Sequence, residues 1–106
     1  MDTDEIQLLI EEIRSFAQDR NWEQFHTPKN LAMAIAGEAG ELSAEFQWLT
    51  PEQSRKDSLS SEKLHDIALE MADVQIYLLR LADVLGIDIS KAVRQKIAIN
   101  EKRFSK

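Results

Sequence analysis

Apolar residues recur at intervals of three and four along most of the chain, which is the spacing of helices with one buried face. The first such face consists of Ile6, Leu9, Ile10, Ile13 and Phe16. This helix is predicted to start after Asp2 or Thr3, because Asp2 and Glu5 have capping-box spacing. No stretch alternates apolar and polar residues for long, and the segment 19–26, with its two large aromatics, is predicted to be a connection.

Capping signals predict a second helix. Thr27 followed by Pro28 is typical of a helix start, since Thr is a favourable N-cap and Pro suits the first helical position. The helix is predicted to run to about Leu49 and to bury Leu31, Ile35, Leu42, Phe46 and Leu49. The polar, serine-rich segment 50–61 that follows is predicted to be a surface loop with room for a short helical turn.

Two more helices complete the prediction. One runs from about Ser61 to Leu85 and stops at Gly86 in the C′ position, and Asp88 caps another that runs to about Phe104. The core stripe of the third helix is Leu64, Ile67, Ala68, Met71, Val74, Leu78, Ala82 and Leu85. The predicted fold class is all-α, a four-helix bundle made by a single domain over residues 1–106.

Composition narrows the functional classes. The net charge of -6 argues against a nucleic-acid partner, which would require a basic face. The longest apolar run, LAMAIA, is too short to cross a bilayer, so no membrane association is expected. The first five residues, MDTDE, are acidic where a targeting signal would be basic, which predicts a cytoplasmic location. The chain has no cysteine, which excludes disulfides and thiolate metal sites.

Acidic residues on two of the predicted helices lack nearby bases. Glu38, Glu41 and Glu45 form one stripe beside the apolar face, and no Lys or Arg occurs between positions 29 and 55. Glu70 and Asp73 share a face of the next helix, in a stretch without bases from 64 to 79. Partly desolvated carboxylates without counter-ions are costly, so these positions need an explanation.

A hard divalent cation would provide one. Mg²⁺ prefers oxygen ligands, and Glu38, Glu41, Glu70 and Asp73 can converge if their helices pack antiparallel. The small residues beside them, Gly37 and Gly40 among them, are predicted to let the two backbones approach closely. A di-iron bundle would need Glu-x-x-His motifs, and His26 and His65 stand at neither spacing. A single E-x-x-E is usually a solvated face, and it is the two pairs together that favour a site.

The segments FHTPKNLAMAIAGEAGELSAEFQWL, LEMADVQIYLLRLAD and KIAINEKRF resemble the all-α nucleoside triphosphate pyrophosphohydrolases of the MazG-like superfamily. The branch nearest to them is the dCTP pyrophosphatase type. The resemblance implies an enzyme that uses Mg²⁺, with Mn²⁺ as an alternative ion, to cleave a (deoxy)nucleoside triphosphate into the monophosphate and pyrophosphate. It also implies assembly as a dimer or tetramer.

The same resemblance implies roles for individual residues. Glu38, Glu41, Glu70 and Asp73 match the metal ligands, and Glu38 or Glu41 would accept a proton from water. The substrate-binding positions that the resemblance implies are Trp22, Trp48, Tyr77, Lys96 and Asn100. Apart from the resemblance, Lys29 and Arg103 are predicted to help Lys96 meet the phosphate charge. Two positions depart from the superfamily pattern: Gly37 replaces a glutamate, as in the dCTP branch, and Ala98 replaces the aspartate of the K-x-D-x-N element.

Two features of the residues themselves bear on these implications. Lys96, Asn100 and Arg103 share a stripe of the fourth helix with Ile89 and Val93, so they are predicted to face inward toward a ligand. The third helix is apolar on more than one face, which predicts self-association. The alternative function is a non-catalytic helical module whose acids form a docking face for a basic partner.

Overall fold

The computed structural model describes residues 4–105, which form four α-helices and two single 3₁₀ turns, with no strand among them. The helices are α1 (Glu5–Asp19), α2 (Pro28–Ala44), α3 (Ser61–Leu85) and α4 (Ile89–Arg103), and the 3₁₀ turns are Glu23–Phe25 and Lys56–Ser58. The predicted all-α class and number of helices are confirmed. Within residues 4–105, no helix combines the length and the apolar character needed to cross a membrane.

Most helix ends lie where the capping signals predict them. Asp88 caps α4 by accepting a hydrogen bond from the Lys91 backbone N–H, and Gly86 ends α3 with a left-handed φ of 68°. The backbone N–H of Ile87 donates to the Ala82 carbonyl at 2.8 Å, and that of Gly86 donates to the Asp83 carbonyl at 3.1 Å, which is a Schellman ending.

The predicted start of α1 needs a small correction. The helix begins at Glu5, and its N-cap is Asp4, whose carboxylate accepts a hydrogen bond from the Ile6 backbone N–H at 3.0 Å. Asp2 and Thr3, the predicted start, lie outside the described residues. Asp4 is an equally good capping residue, and it stands directly before the apolar face.

The predicted end of α2 at Leu49 is wrong, because the helix ends at Ala44. From there the backbone turns more tightly: the N–H groups of Glu45 and Phe46 donate to carbonyls three residues back, at 3.1 and 3.0 Å. Three-residue hydrogen bonds are the usual tightening of a last helical turn. No Gly or Pro marks this end in the sequence, so periodicity alone extends the helix too far.

The chain divides into two compact units. In the first, which joins the described residues up to Pro28 with those from Leu79 onward, the buried side chains include Ile10, Ala17 and Leu79. It also buries a charged residue, Arg80, at 6% exposure. Asp83 accepts two hydrogen bonds from Arg14, at 2.8 and 2.7 Å, and one from Arg80 at 3.2 Å.

His26 completes this polar network. Its Nδ1 accepts a hydrogen bond from Arg80 Nε at 3.0 Å, so the ring is neutral in this arrangement. Burial lowers the pKa of His26, and the charge of Arg80 lowers it further. His26, in the loop before α2, is therefore a structural partner of a buried arginine, while His65 is exposed on α3.

The second unit, Lys29–Leu78, contains α2 and most of α3, and its buried residues include Leu31 and Ile67. Several predicted core residues of the two units are instead exposed: Phe16, Leu64, Ala68, Met71 and Leu85. Periodicity identifies the apolar face of a helix, but a residue on that face is buried only if another part of the protein packs against it. The described chain packs too little against these five residues to bury them. The fully buried Leu79 was absent from the predicted stripe.

Candidate metal site

Three of the predicted metal ligands meet within the second unit. Glu38 and Glu41 lie one turn apart on α2, and Glu70 lies on α3. One carboxylate oxygen from each residue lies within 4.8 Å of the other two. The spacing i,i+3 on α2 places two carboxylates on one helical face, and α3 contributes the third from across the helix pair.

Two of these carboxylates have buried oxygens that lack partners. Oε2 of Glu38 and Oε2 of Glu70 are inaccessible to solvent and make no hydrogen bond. Desolvation raises the pKa of both groups, and the charges of neighbouring carboxylates raise it further. Nearly all buried polar atoms in folded proteins are hydrogen-bonded, so two such oxygens in one cluster indicate a ligand that the chain itself does not provide.

Asp73 lies beside this cluster. It is half-buried on α3, one turn after Glu70, and its negative charge contributes to the raised pKa values of Glu38 and Glu70. Its oxygens are not among those that lie within 4.8 Å of one another. Asp73 is therefore close enough to act on the site electrostatically, and its role as a direct ligand stays a prediction.

The glycines beside the acids do not have the predicted role. A methyl group built at Gly37 or at Gly40 would have no neighbouring atom within 4 Å. Alanine would therefore fit at both positions, and close approach of the α2 and α3 backbones is not what requires them.

Glu45 is not uncompensated, contrary to the sequence-based expectation. Its Oε1 accepts a hydrogen bond from Lys63 Nζ at 2.8 Å, and both side chains are partly buried. Lys63 lies 18 residues further along the chain, so the local sequence around Glu45 does not show this partner. One signal was available: a lysine in the first turn of a helix is unfavourable to the helix dipole and suggests another partner.

The donor set fits a hard divalent cation. All the available atoms are carboxylate oxygens, which Mg²⁺ and Mn²⁺ accept and softer metals do not prefer. A cation would relieve the repulsion among the three glutamates and would satisfy the two buried oxygens. Glu38, Glu41 and Glu70 are the residues that would hold it.

The pH dependence of stability should reveal the strained carboxylates. Because their pKa values are raised in the folded protein, the metal-free protein binds protons more tightly than the unfolded chain does. Glu38 and Glu70 therefore contribute stability that is fully present below 4.5, the ordinary value, and is lost as the pH rises through the raised values. The measurement is thermal unfolding in a chelator at a series of pH values.

Comparison with Glu38→Gln isolates this effect. The lowered pKa of His26 acts in the opposite direction, since its contribution is lost as the pH falls below 6.5, but it does so equally in both proteins. The wild type should gain stability relative to the variant as the pH falls. A difference between the two proteins that does not change with pH would contradict the assignment.

Three of the predicted substrate contacts belong to the second unit, and they differ in exposure. Lys29 is exposed in the first turn of α2, and Trp48, at 86% exposure, follows the end of that helix. Tyr77 is half-buried on α3, one turn after Asp73. These residues are available to a ligand, and their roles stay predictions.

The other four predicted contacts belong to the first unit. Trp22 is partly exposed and packs its ring edge-on against Phe16, with 5.5 Å between ring centroids. Lys96 and Arg103 are exposed on α4, Arg103 lies over the Phe104 ring, and Asn100 is half-buried.

The prediction that α4 turns this stripe inward is wrong. None of its described residues is buried, and Val93, on the same stripe, is half exposed. Ile97 and Ile99, also on α4, are more than half exposed as well.

Comparison with known proteins identifies the class of protein that has this fold and this acidic cluster. Residues 33–105 match the sequence profile of the MazG-like family. The chain belongs to this family, which confirms the resemblance described above.

Individual relatives extend this result. In an alignment of 99 residues that covers 90% of this chain, the sequence is 40% identical to human dCTP pyrophosphatase 1. This similarity confirms the resemblance to the dCTP pyrophosphatase branch. The chain spans only 58% of that relative's length. A dATP/dGTP diphosphohydrolase of cyanophage S-2L is 49% identical over a shorter segment, 42% of either chain. The crystal structure of a pyrophosphatase from Archaeoglobus fulgidus superposes with a TM-score of 0.90, at 36% identity over 100% of this chain and 97% of that one.

Proposed function

We propose that the protein is a Mg²⁺-dependent nucleoside triphosphate pyrophosphohydrolase. Three carboxylates whose oxygens lie within 4.8 Å of one another, two of them with buried unpartnered oxygens, carry the proposal. An acidic docking face would be solvated and would not keep two oxygens buried without a partner. The names of the relatives, a dCTP pyrophosphatase and a diphosphohydrolase, support the same reaction.

The reaction is hydrolysis between the α and β phosphates. Water adds its oxygen to one of the two phosphorus atoms and the bridging P–O bond breaks, so that the products are a nucleoside monophosphate and pyrophosphate. When bound, Mg²⁺ supplies positive charge that neutralises phosphate oxygens and favours deprotonation of water.

The chain's own residues have two tasks in this reaction. Glu38, Glu41 and Glu70, assisted by Asp73, bind and orient the ion. Glu38 or Glu41 also accepts the proton that the attacking water loses.

We propose dCTP or a related pyrimidine deoxynucleoside triphosphate as the substrate. Within the second unit, Lys29 would contact phosphate, Tyr77 would donate a hydrogen bond, and Trp48 would stack on the base. Trp22, Lys96 and Asn100 are further proposed substrate contacts on the basis of the resemblance, and Arg103 is proposed as a phosphate contact because of its charge. The 40% identity to a dCTP pyrophosphatase supports the choice of base.

We also propose that the chain self-associates as a dimer or tetramer. Large apolar side chains are exposed on α3 and α4: Leu69, Ile76, Val84, Val93, Ile97 and Ile99. Exposed apolar side chains in this number are typical of a surface that contacts another protein chain. A second copy of the chain would cover it, since symmetric association uses the same surface on both partners.

A panel of dNTPs and NTPs tests the function. Purified protein of known oligomeric mass is incubated with each triphosphate in Mg²⁺, in Mn²⁺ and in a chelator, and the products are separated. The expected result is monophosphate and pyrophosphate in equal amounts, most rapidly from dCTP, and none with the chelator. Orthophosphate with a diphosphate would reject the assigned bond, and the absence of any turnover would favour the docking module.

A further inference from the structure

An ion pair links the two helices of the candidate metal site. Glu45 directly follows the last residue of α2, and Lys63 lies in the first turn of α3. Their charged atoms are 2.8 Å apart, and about a fifth of the Glu45 side chain and a third of the Lys63 side chain are exposed. A pair in this environment is screened less than an exposed one.

Glu45 belongs to the same acidic stripe as Glu38 and Glu41. It lies one turn beyond Glu41, and its charge contributes to the raised pKa of Glu70, which places it within electrostatic reach of the cluster. It is nevertheless absent from the group of carboxylates whose oxygens converge. The oxygen that faces Lys63 is occupied by the ammonium group.

Helix α3 does not explain the position of Lys63. The N-terminal turn of a helix favours negative charge, and Ser60 already caps it by accepting the Lys63 backbone N–H at 3.0 Å. The lysine side chain instead extends across the helix pair to the end of α2. Its position is therefore explained by Glu45.

We propose that Lys63 holds Glu45 out of the cation site and thereby sets which divalent ion the site prefers. The inference rests on the proposed function, because it concerns the same site. While Glu45 is paired with Lys63, the cluster offers only the carboxylates of Glu38, Glu41 and Glu70 among those whose oxygens converge. A small number of carboxylate ligands suits Mg²⁺, because this ion keeps several of its waters. A further free carboxylate would suit Ca²⁺, which takes six to eight oxygen ligands and binds more tightly as acidic ligands are added.

Two substitutions separate this proposal from a purely structural role. Lys63→Met frees Glu45, whereas Glu45→Gln leaves an uncompensated lysine beside the cluster. If the pair only tethers the helices, either change breaks the tether and both should weaken cation binding. If the pair controls the charge of the site, the two changes should have opposite effects.

Calorimetric titration of the nucleotide-free protein with Mg²⁺ and with Ca²⁺ provides the measurement. For Lys63→Met, the Kd of Ca²⁺ should fall about tenfold and that of Mg²⁺ about threefold, so that the preference for Mg²⁺ narrows. For Glu45→Gln, both Kd values should rise by about threefold or more. The double variant should bring the ratio of the two Kd values back toward that of the wild type.

Two control variants accompany the series. Lys56→Met removes an exposed positive charge from the segment between α2 and α3 and should leave both Kd values unchanged. Lys63→Arg keeps the charge and should retain the Mg²⁺ preference. Circular dichroism and thermal unfolding of each metal-free protein establish that the variants fold.

The outcomes distinguish this inference from the proposed function. Shifts of equal sign in Lys63→Met and Glu45→Gln, in a wild type that binds Mg²⁺ and hydrolyses dCTP, would overturn the inference alone. A wild type that binds neither ion and hydrolyses no triphosphate would overturn both. Opposite shifts that disappear in the double variant would support the assigned role of Lys63.

Discussion

Glu41→Gln should reduce the rate of pyrophosphate release by at least about 100-fold. Substitution of a residue that only supports a metal ligand already lowers metal affinity or activity by about 10- to 100-fold, and Glu41 is proposed as a ligand itself. Glu41 is one of the three carboxylates whose oxygens converge, and it is the exposed one. Glutamine keeps its size but removes the charge that binds a cation. The measurement is kcat/KM for dCTP at saturating Mg²⁺, with pyrophosphate as the product detected.

The fold should survive this substitution. Burial and the charges of neighbouring carboxylates raise the pKa values of Glu38 and Glu70, and removing the Glu41 charge relieves part of this repulsion. The metal-free variant should therefore unfold at the same temperature as the wild type or at a higher one. Stabilisation by added Mg²⁺ should be weaker than in the wild type, because a ligand that binds the folded state raises its stability.

A matched variant tests whether the position matters. Glu52→Gln removes the same charge from an exposed glutamate in the segment between α2 and α3 and should leave hydrolysis unchanged. Turnover of Glu41→Gln within a few-fold of the wild type would remove Glu41 from the catalytic site. Equal losses in the two variants would point to net charge as the cause.

The sequence predicted the helices well where single residues determine a helix end. Thr27 and Pro28, Gly86, and Asp88 correctly located three helix ends, because capping and left-handed φ angles are local properties. The end of α2 had no such marker. Glu45 and Phe46 turn through backbone hydrogen bonds that any residue can make, so the prediction continued to Leu49.

The acids of the candidate site were predictable for a similar reason. Unbalanced charge at helical spacing is visible in the amino-acid sequence, and it correctly indicated that Glu38, Glu41 and Glu70 converge. The counter-ion of Glu45 was not visible in this way. Lys63 follows a loop, so its contact with Glu45 depends on how α2 and α3 pack.

Burial of charge was the least predictable feature. Arginine is expected at the surface, and no local pattern shows that Arg80 is buried. Its partners are His26, in the loop before α2, and Asp83, on its own helix, and Arg80 meets His26 only in the folded unit. The opposite error occurred on α4, where periodicity predicted an inward stripe that is largely exposed.

The buried network provides the second large effect: Asp83→Asn should lower the free energy of unfolding by about 3 kcal/mol. Asp83 is the only carboxylate, among the described ion pairs, that binds Arg80. Removing its charge would leave a guanidinium group at 6% exposure whose partners in this network are all neutral. Breaking one member of a buried pair is costly because the other charge stays desolvated.

A second substitution in the same network should cost much less. Arg14→Met removes the strongest partner of Asp83, but the Arg14 side chain is 40% exposed, so solvent screens this pair and the cost should be about 1 kcal/mol. Asp83 would still bind Arg80 in that variant. The two variants thus separate what the Arg80–Asp83 pair contributes to the free energy of unfolding from what the partly exposed Arg14–Asp83 pair contributes.

Urea unfolding at neutral pH gives the free energy of unfolding of both variants. In thermal unfolding, a loss of about 3 kcal/mol should lower the Tm of a protein of about 100 residues by roughly 12–24 °C. The pH should matter as well. Arg14 lowers the pKa of Asp83, and this contribution is present above 3.8, the ordinary value, and is lost as the pH falls through the lowered value. The stability difference between wild type and Asp83→Asn should therefore shrink in acid. Equal costs for Asp83→Asn and Arg14→Met would show that the burial of Arg80 does not determine the energy of this network.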